Sequence, residues 1–351
     1  MDCHSNKQAY FLEHLNIFIL IKIHKIMAKN IENFKNKKIA ILGDLILDKF
    51  TEGVIERINP DQTTSPLVKI KSEKFILGGA ANVANNVFSL GGIPTLYGVL
   101  GKDENAEIFS ELCKKNKINF KKVICQNPTI CKQRIIADKY QVARMDFGEN
   151  NIKKINTIVQ NKILKQLKND VGKFDAVVLS DYNKLTFTKK FTQNIIEICR
   201  KKNIPTIVDP KPENILFFQN ATVICPNKTE AKKISGEKYF TNPRNYLESL
   251  QELKKITNAK YNIVTCGDQG VIALDPNSNE LIIIDTIAKS VRDVTGAGDT
   301  FAATLALGFA SKMPFKEILE LANIAAGIVV EKSGTATVDY LELKDKIKAD
   351  L

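Results

Sequence analysis

From Lys38 onward the chain repeats one pattern: a short unbroken apolar run that stops at a polar residue, then a longer stretch of mixed character. Ile39-Ala40-Ile41-Leu42 ends at Gly43-Asp44, Ala176-Val177-Val178-Leu179 at Ser180-Asp181, and Thr206-Ile207-Val208 at Asp209-Pro210. Thr222-Val223-Ile224-Cys225 ends at Pro226-Asn227, and Asn262-Ile263-Val264 at Thr265. Apolar runs without alternation are what strands buried on both faces require. The segments 191–202 and 244–256 between them are amphipathic, which gives the strand, helix, strand order of a right-handed parallel sheet. Polar residues gather just past the strand ends, where ligands bind in open α/β sheets.

Residues 50–75 and 126–147 break this rhythm. They include Lys132-Gln133-Arg134-Ile135-Ile136-Ala137 and Gln141-Val142-Ala143-Arg144, and read as short antiparallel strands with turn residues between them. A small sheet beside the main domain would serve as a lid or an oligomer contact. With 351 residues, 44% of them apolar, the chain can bury a large core, and without a repeat or low-complexity linker it reads as one α/β domain with a lid. Near the start, Asn16-Ile17-Phe18-Ile19-Leu20-Ile21 is cut short by Lys22, His24 and Lys25 and lacks a small-residue cleavage site, so it reads neither as a signal peptide nor as a membrane span. Met27-Ala28-Lys29-Asn30 reads as an ordinary start, which makes 1–26 an upstream extension, 1–36 an N-terminal extension and 37–345 the main domain.

Charge and side-chain chemistry narrow the classes. The formal charge of +12 comes from scattered lysines, without a basic block interleaved with aromatics, so neither nucleic acid nor a membrane is the expected partner. The seven cysteines are dispersed and contain no Cys-x-x-Cys pair, which fits a reducing, cytoplasmic compartment rather than a disulfide framework or a zinc knuckle. All three histidines, His4, His14 and His24, precede the main domain. Its chemistry therefore falls to carboxylates, Lys, Arg and backbone amides.

Three constellations carry candidate chemistry. In Asp293-Val294-Thr295-Gly296-Ala297-Gly298-Asp299-Thr300, the two glycines let successive amides converge on one anion at the start of the helix that follows. Such a cradle stabilises charge on a transferred phosphoryl group and keeps Asp299 ionised, ready to take a proton from an attacking hydroxyl. Taken alone, Gly-Ala-Gly-Asp reads first as a turn that starts a helix with a capping Asp; the strand-rich segment before it, the Asp on both sides and two further polar constellations reverse that reading. Gly78-Gly79-Ala80-Ala81-Asn82 opens a helix running to Leu90; its glycines leave room for a ligand and Asn82 can both donate to and accept from a sugar hydroxyl, although a tightly packed helix start reads the same way. Asn227-Lys228-Thr229-Glu230 sets an amide and a carboxylate on one face of a first helical turn, suited to a water shell around magnesium and triphosphate, or to a capping box.

In this order and spacing the three constellations resemble the ribokinase-like (PfkB) family of carbohydrate kinases, from about Lys37 to Val338. The resemblance implies a three-layer α/β/α fold with a mainly parallel central sheet and a small β lid, ATP and Mg2+ as cofactors, and a sugar acceptor. It implies Asp299 as catalytic base, the amides of Gly296, Ala297 and Gly298 as anion hole, and Asn227 and Glu230 as the magnesium and triphosphate site, the metal being held through water. Thr265, Gly267 and Gly270, from Thr265-Cys266-Gly267-Asp268-Gln269-Gly270, join the nucleotide site, while Asp44, Asp48, Gly78, Gly79 and Asn82 are assigned to the sugar.

Gly43-Asp44-Leu45-Ile46-Leu47-Asp48, Arg57-Ile58-Asn59-Pro60, Leu179-Ser180-Asp181-Tyr182 and Asp209-Pro210-Lys211 resemble the branch of bacterial kinases that phosphorylate C1 of D-glycero-β-D-manno-heptose 7-phosphate on the route to ADP-heptose and lipopolysaccharide. Leu185 and Asn59-Pro60-Asp61 depart from that branch's pattern and bear on the substrate pocket. A substrate that already carries a phosphate needs cations away from Asp299, and Arg134, Arg144, Lys184 and Lys211 are the candidates. Some relatives add a nucleotidyltransferase domain marked by His-x-Gly-His; no histidine follows the kinase motifs here, so adenylyl transfer is expected of another protein. Relatives also imply a homodimer through the lid. Two alternatives stand beside this reading: a kinase for another sugar or sugar phosphate, and a sugar- or nucleotide-binding regulator without turnover.

Overall fold

A computed structural model describes residues 26–58, 66–149, 152–288, 290–332 and 334–349. The three histidines, the apolar run at 16–21 and Asn59-Pro60-Asp61 lie outside the described residues, as does nearly all of the 1–26 extension. The strands run, in chain order, β1 Lys38–Gly43, β2 Leu45–Ile58, β3 Pro66–Gly79, β4 Ile93–Leu100, β5 Asn119–Ile124, β6 Ile130–Ala137, β7 Tyr140–Phe147, β8 Ala176–Ser180, β9 Thr206–Asp209, β10 Val223–Ile224, β11 Tyr261–Thr265, β12 Val271–Leu274 and β13 Leu281–Ile284. The helices are α1 Ala80–Ser89, α2 Glu104–Lys115, α3 Thr157–Asp170, α4 Lys189–Lys201, α5 Lys228–Ser235, α6 Tyr246–Thr257, α7 Ala297–Ala310, α8 Phe315–Val330 and α9 Tyr340–Ala349.

Nine strands form the central sheet in the order β13-β12-β11-β10-β9-β8-β1-β4-β5, parallel except where β12 meets β11 and β13. The unbroken apolar runs have the expected cause. Ile39 and Ile41 of β1 pack on one face with α1, α7 and α8, while Ala40 and Leu42 pack on the other with α3 and α4. Each of the Ile and Leu side chains, fully withdrawn from water, contributes about 1.5–3 kcal/mol. Helix α7 is buried on nearly every side and runs through the first of these layers. Met27, Ala28, Ile31 and Phe34 also belong to that core, so buried packing begins upstream of Lys37.

The second sheet has the order β3-β2-β6-β7 and overlaps both segments expected to form a lid. It differs from the expectation in two respects. Strands β2 and β3 are 14 residues each rather than short, and β2 pairs with β6 in parallel. Register irregularities at Glu52/Gly53 and Ile55/Arg57 interrupt the alternation of faces, which hides the length of the hairpin from a period-two reading. Because β2 begins two residues after β1 ends and β3 runs directly into α1, the lid grows out of the central layer at the carboxyl end of β1.

Candidate active site

Two buried carboxylates at strand ends anchor loops that reach the site. Asp44 follows β1 and is 1% exposed; its Oδ2 accepts the amides of Tyr182 at 2.8 Å and Lys184 at 3.0 Å. Asp181 follows β8 and accepts the Asn183 amide, the Lys211 amide and the Asn214 side chain. Burial, and then the neighbouring Asp44 charge, push Asp181 up to about 6. Polar residues at the ends of parallel strands therefore fix the loops that carry Tyr182 and Lys211. Asp44, expected among the substrate-binding residues, commits its Oδ2 to backbone amides, and it lines a separate small cavity together with Lys184 rather than the one at Asp299.

Asp299 stands on the first turn of α7. Gly296 caps that helix with φ 85°, a left-handed conformation, and a side chain there would come within 2.9 Å of Asn82 Nδ2. Asp299 is 4% exposed, with Oδ2 accepting from Asn82 Nδ2 at 2.8 Å and Oδ1 from the Tyr182 hydroxyl at 2.7 Å. Thr300 Oγ1 donates to Asn86 Oδ1 at 2.9 Å, so the two glycine-led helices, α1 and α7, are joined side by side. Burial raises Asp299 to about 6, against the two hydrogen bonds, which lower it. At neutral pH a carboxyl raised to about 6 is still mostly ionised, and such a value suits a general base.

Of the expected anion hole, the Ala297 amide is already engaged by the Val294 carbonyl at 3.3 Å. The amides of Gly298 and Asp299 fall in the first turn of α7, where helix donors lack intrahelical partners. A side chain at Gly298 would meet only Asp209 Oδ2, at 3.8 Å, so this glycine faces open cavity rather than packed protein.

Asp299, Gly296 and Gly298 share a cavity of about 150 Å³ with Tyr182, Asp209, Lys211, Asn227, Glu230 and Thr265. Asn227 and Glu230 form a complete capping box: the Glu230 amide donates to Asn227 Oδ1 at 2.9 Å and the Asn227 amide to Glu230 Oε2 at 3.0 Å. The capping reading of this tetrapeptide is thus realised, and both side chains also line the cavity. Glu230 Oε1 pairs with Lys211 Nζ. Lys211 therefore belongs beside Asp209 and Asp299, and is corrected from the set of cations expected away from the base. Burial, together with the Glu230, Asp299 and Asp181 charges and against that of Lys211, holds Asp209 well above the usual carboxylate range.

A second cavity of about 390 Å³ continues from the first, sharing Asn227, Thr265, Gly298 and Phe301. Gly267, Gly270, Val291, Val294, Ala326 and Val330 make its wall largely apolar, with Asn323 as one of few polar groups. A flat base in such a slot would place its phosphates toward the α7 amides. Gly270 has φ 77°, and a Cβ there would overlap the Ile284 carbonyl.

On the lid side, Arg134 NH1 donates to Asp48 Oδ1 at 2.6 Å and its guanidinium lies over the Phe50 ring. A side chain at Gly78 would strike Asp48 Oδ2, and one at Gly79 (φ 58°) the Asp44 carbonyl. Asp48 lies close enough that its charge helps raise Asp299. Arg144 pairs in register with Arg134 on the same lid face and grips Asp146 through two 2.8 Å bonds, while Lys184 Nζ reaches Glu149 at 2.7 Å. Four residues had no assigned role in the sequence reading: Tyr182, Asp209, Lys132 and Glu149. For the first two, the polar position just past a parallel strand was the available signal.

Residues 38–341 match the family described as pfkB family carbohydrate kinase. The chain is 38% identical over 324 residues to the bifunctional protein HldE of Haemophilus influenzae (strain PittEE), covering 92% of this chain and 66% of that protein. It is 35% identical over 311 residues to the bifunctional protein HldE of Aliarcobacter butzleri, covering 88% and 64%. The chain thus spans just under two thirds of the length of these relatives. Among solved structures it resembles phosphofructokinase-2 from Escherichia coli in complex with potassium, with a TM-score of 0.72, 19% identity, and 90% and 99% of the two chains covered. It also resembles Arabidopsis thaliana ribokinase complexed with ribose and ATP, with a TM-score of 0.68, 18% identity, and 89% and 99% covered.

Proposed function

Because the chain belongs to the pfkB family of carbohydrate kinases, we propose that it moves the γ-phosphoryl group of ATP onto the C1 hydroxyl of D-glycero-β-D-manno-heptose 7-phosphate. The product is the 1,7-bisphosphate, on the way to ADP-heptose and lipopolysaccharide. The observation that carries this reading is the position of Asp299, with a nucleotide-sized apolar cavity on one side and the sugar-facing Asp48, Gly78 and Asn82 on the other. Likeness to the two HldE proteins supports the choice of acceptor.

In this mechanism the C1 hydroxyl gives its proton to Asp299 as its oxygen bonds to the γ-phosphorus and the bond to the ADP oxygen breaks. Amides at the start of α7 receive the charge that spreads over the transferred group, and the Lys211 ammonium lines the same cavity. Asn82 and Tyr182 hold the carboxylate in line. The lid excludes water, which would otherwise compete as acceptor.

Magnesium fits the residues present. Asp209, Asn227 and Glu230 offer hard oxygen atoms to the cavity, yet among the described residues no group of three or more carboxylate, His or Cys side chains encloses a metal position. A magnesium ion keeps several waters and phosphate oxygens as ligands, and Asn227 and Glu230 would hold it through water. When bound, it would neutralise triphosphate charge.

The cations Arg134, Arg144 and Lys184 would take the 7-phosphate. A homodimer through the lid is supported by apolar side chains left exposed there, including Ile70, Tyr140 and Phe147. The six free thiols among the described residues fit a reducing, cytoplasmic site of action; among the described residues no helix is long and apolar enough to cross a membrane. Phosphorus NMR of the protein with heptose 7-phosphate, ATP and magnesium tests the reading: a new anomeric phosphate signal is expected. Faster turnover of fructose 1-phosphate, ribose or a nucleoside would remove the acceptor assignment.

A further inference from the structure

The lid face beside the sugar end carries a carboxylate that the proposed reaction does not use. Glu149 follows Gly148, which has φ 77°, just past the end of β7. Its Oε2 lies 2.7 Å from Lys184 Nζ and its Oε1 3.7 Å from Lys132 Nζ. All three side chains are mostly buried, at 23%, 20% and 17% exposure. Oε1 has no hydrogen-bond partner among the described residues, so the carboxylate lies between two ammonium groups, close to Lys184 and a full ångström farther from Lys132. Burial also lowers Lys132, against the attraction of Glu149 and with the repulsion of Lys184 and Arg144.

The charges around this point are unequal. Lys132, Lys184, Arg134 and Arg144 supply four positive charges, and Asp48, Asp146 and Glu149 three negative ones. Asp48 and Asp146 each hold an arginine at 2.8 Å or less. Glu149 alone is shared, and its withdrawal leaves two uncompensated positive charges, the complement of a phosphate monoester dianion.

We propose that Glu149 is an internal anion standing where the phosphate of the acceptor binds, and that a phosphate monoester displaces it from Lys132 and Lys184. This inference rests on the reading of the chain as a sugar-phosphate kinase and deepens it. An unphosphorylated sugar brings no charge with which to displace Glu149, so only a phosphorylated acceptor gains the two ammonium groups, which Glu149 keeps compensated while the phosphate is absent. Lys132 becomes a specificity residue, and Glu149 acts by competition rather than by touching the reacting atoms.

Inorganic phosphate is the probe, added to full-length protein already saturated with a non-hydrolysable ATP analogue and magnesium so that the triphosphate end is filled. Glu149→Gln is expected to bind phosphate about tenfold more tightly than the wild type, the scale of one charge-assisted contact. Glu149→Asp should stay near the wild type, and Lys132→Met in the Glu149→Gln background should lose the gain. Far-UV circular dichroism on each variant separates misfolding from lost binding. Equal phosphate affinity in the wild type and Glu149→Gln would overturn the inference, as would a gain that survives loss of Lys132. A protein that binds phosphate as expected yet does not phosphorylate heptose 7-phosphate keeps this inference and loses the acceptor assignment.

Discussion

The Tyr182 hydroxyl donates to Asp299 Oδ1 at 2.7 Å across a separation of 117 residues. This contact holds one oxygen of the base while Asn82 holds the other. Because a hydrogen bond to the ionised form favours ionisation, Tyr182 lowers the pKa that burial raises. Tyr182→Phe should therefore move the acid limb of the kcat/KM profile from about 6 to higher pH. Near pH 8, where Asp299 is ionised in both proteins, turnover should fall by no more than about tenfold, the effect of a less well-oriented base. A pH profile of both proteins checks this, and an acid limb that does not move would remove Tyr182 from the positioning of Asp299.

Asp299→Asn separates catalysis from stability. Loss of the base should lower turnover by about 10²–10⁴-fold while leaving binding of an ATP analogue intact. The fold should respond in the opposite direction. A carboxyl raised from 3.8 to about 6 by burial costs the folded state about 3 kcal/mol once it is ionised. The folded protein holds this proton more tightly than the unfolded chain, so stability falls as pH rises from about 4 to 6 and then stays low. The variant should thus be more stable than the wild type above pH 6, with the difference vanishing below about pH 4. Asn82, whose Oδ1 has no partner among the described residues, can turn its amide to accept from the new side chain. Urea denaturation at pH 4, 6 and 8 is the measurement.

The cluster of Asp299 with its glycines, proposed as the base and its anion cradle, was legible in the sequence because these residues sit together, and a parallel α/β sheet places such segments at the carboxyl ends of its strands. Asn82 was legible for the same reason, although its contact with Asp299 joins helices 217 residues apart. Lys211 was assigned to the wrong end of the substrate: its position after β9 was readable, but its pairing with Glu230 depends on how far the β9 and β10 loops approach each other. Lys132 and Glu149 gave no local signal. A lysine on a strand and a glutamate after a glycine are ordinary surface residues until the lid strands bring them beside Lys184. The irregular register of β2 and β3 concealed the extent of that lid.

Arg134 tests the sugar side. It is hydrogen-bonded to a carboxylate that is 5% exposed, so Arg134→Leu leaves Asp48 buried without its counter-charge. Removing one partner of such a pair costs about 3–5 kcal/mol when burial is complete, and less here because the arginine side chain remains 17% exposed. The acceptor KM should rise at least tenfold, while the KM for ATP, whose cavity contains neither residue, should change little. Steady-state kinetics with each substrate varied in turn would check this; an equal rise in both KM values would place Arg134 in the general stability of the lid instead.

Two glycines of one motif should fail in different ways. Gly296 occupies a left-handed conformation at φ 85° and its missing side chain leaves room for Asn82 Nδ2 at 2.9 Å. Gly296→Ala should therefore strain the backbone and push on the Asn82 amide that holds the base, lowering stability by about 1–3 kcal/mol along with turnover. Gly298 has ordinary helical geometry, and a methyl group there meets only Asp209 Oδ2 at an ordinary 3.8 Å. Alanine also has the higher helix propensity, so Gly298→Ala should leave the melting temperature unchanged or slightly raised. The methyl group would nevertheless occupy space in the cavity shared by Asp299, Asp209 and Lys211, where the transferred group must lie against the amides. Turnover should drop by about 10²-fold or more with no loss of fold, on the scale of removing one donor from an anion hole. Thermal melts and single-turnover rates of the two variants, compared side by side, would show whether the second glycine is kept for the phosphate rather than for the protein.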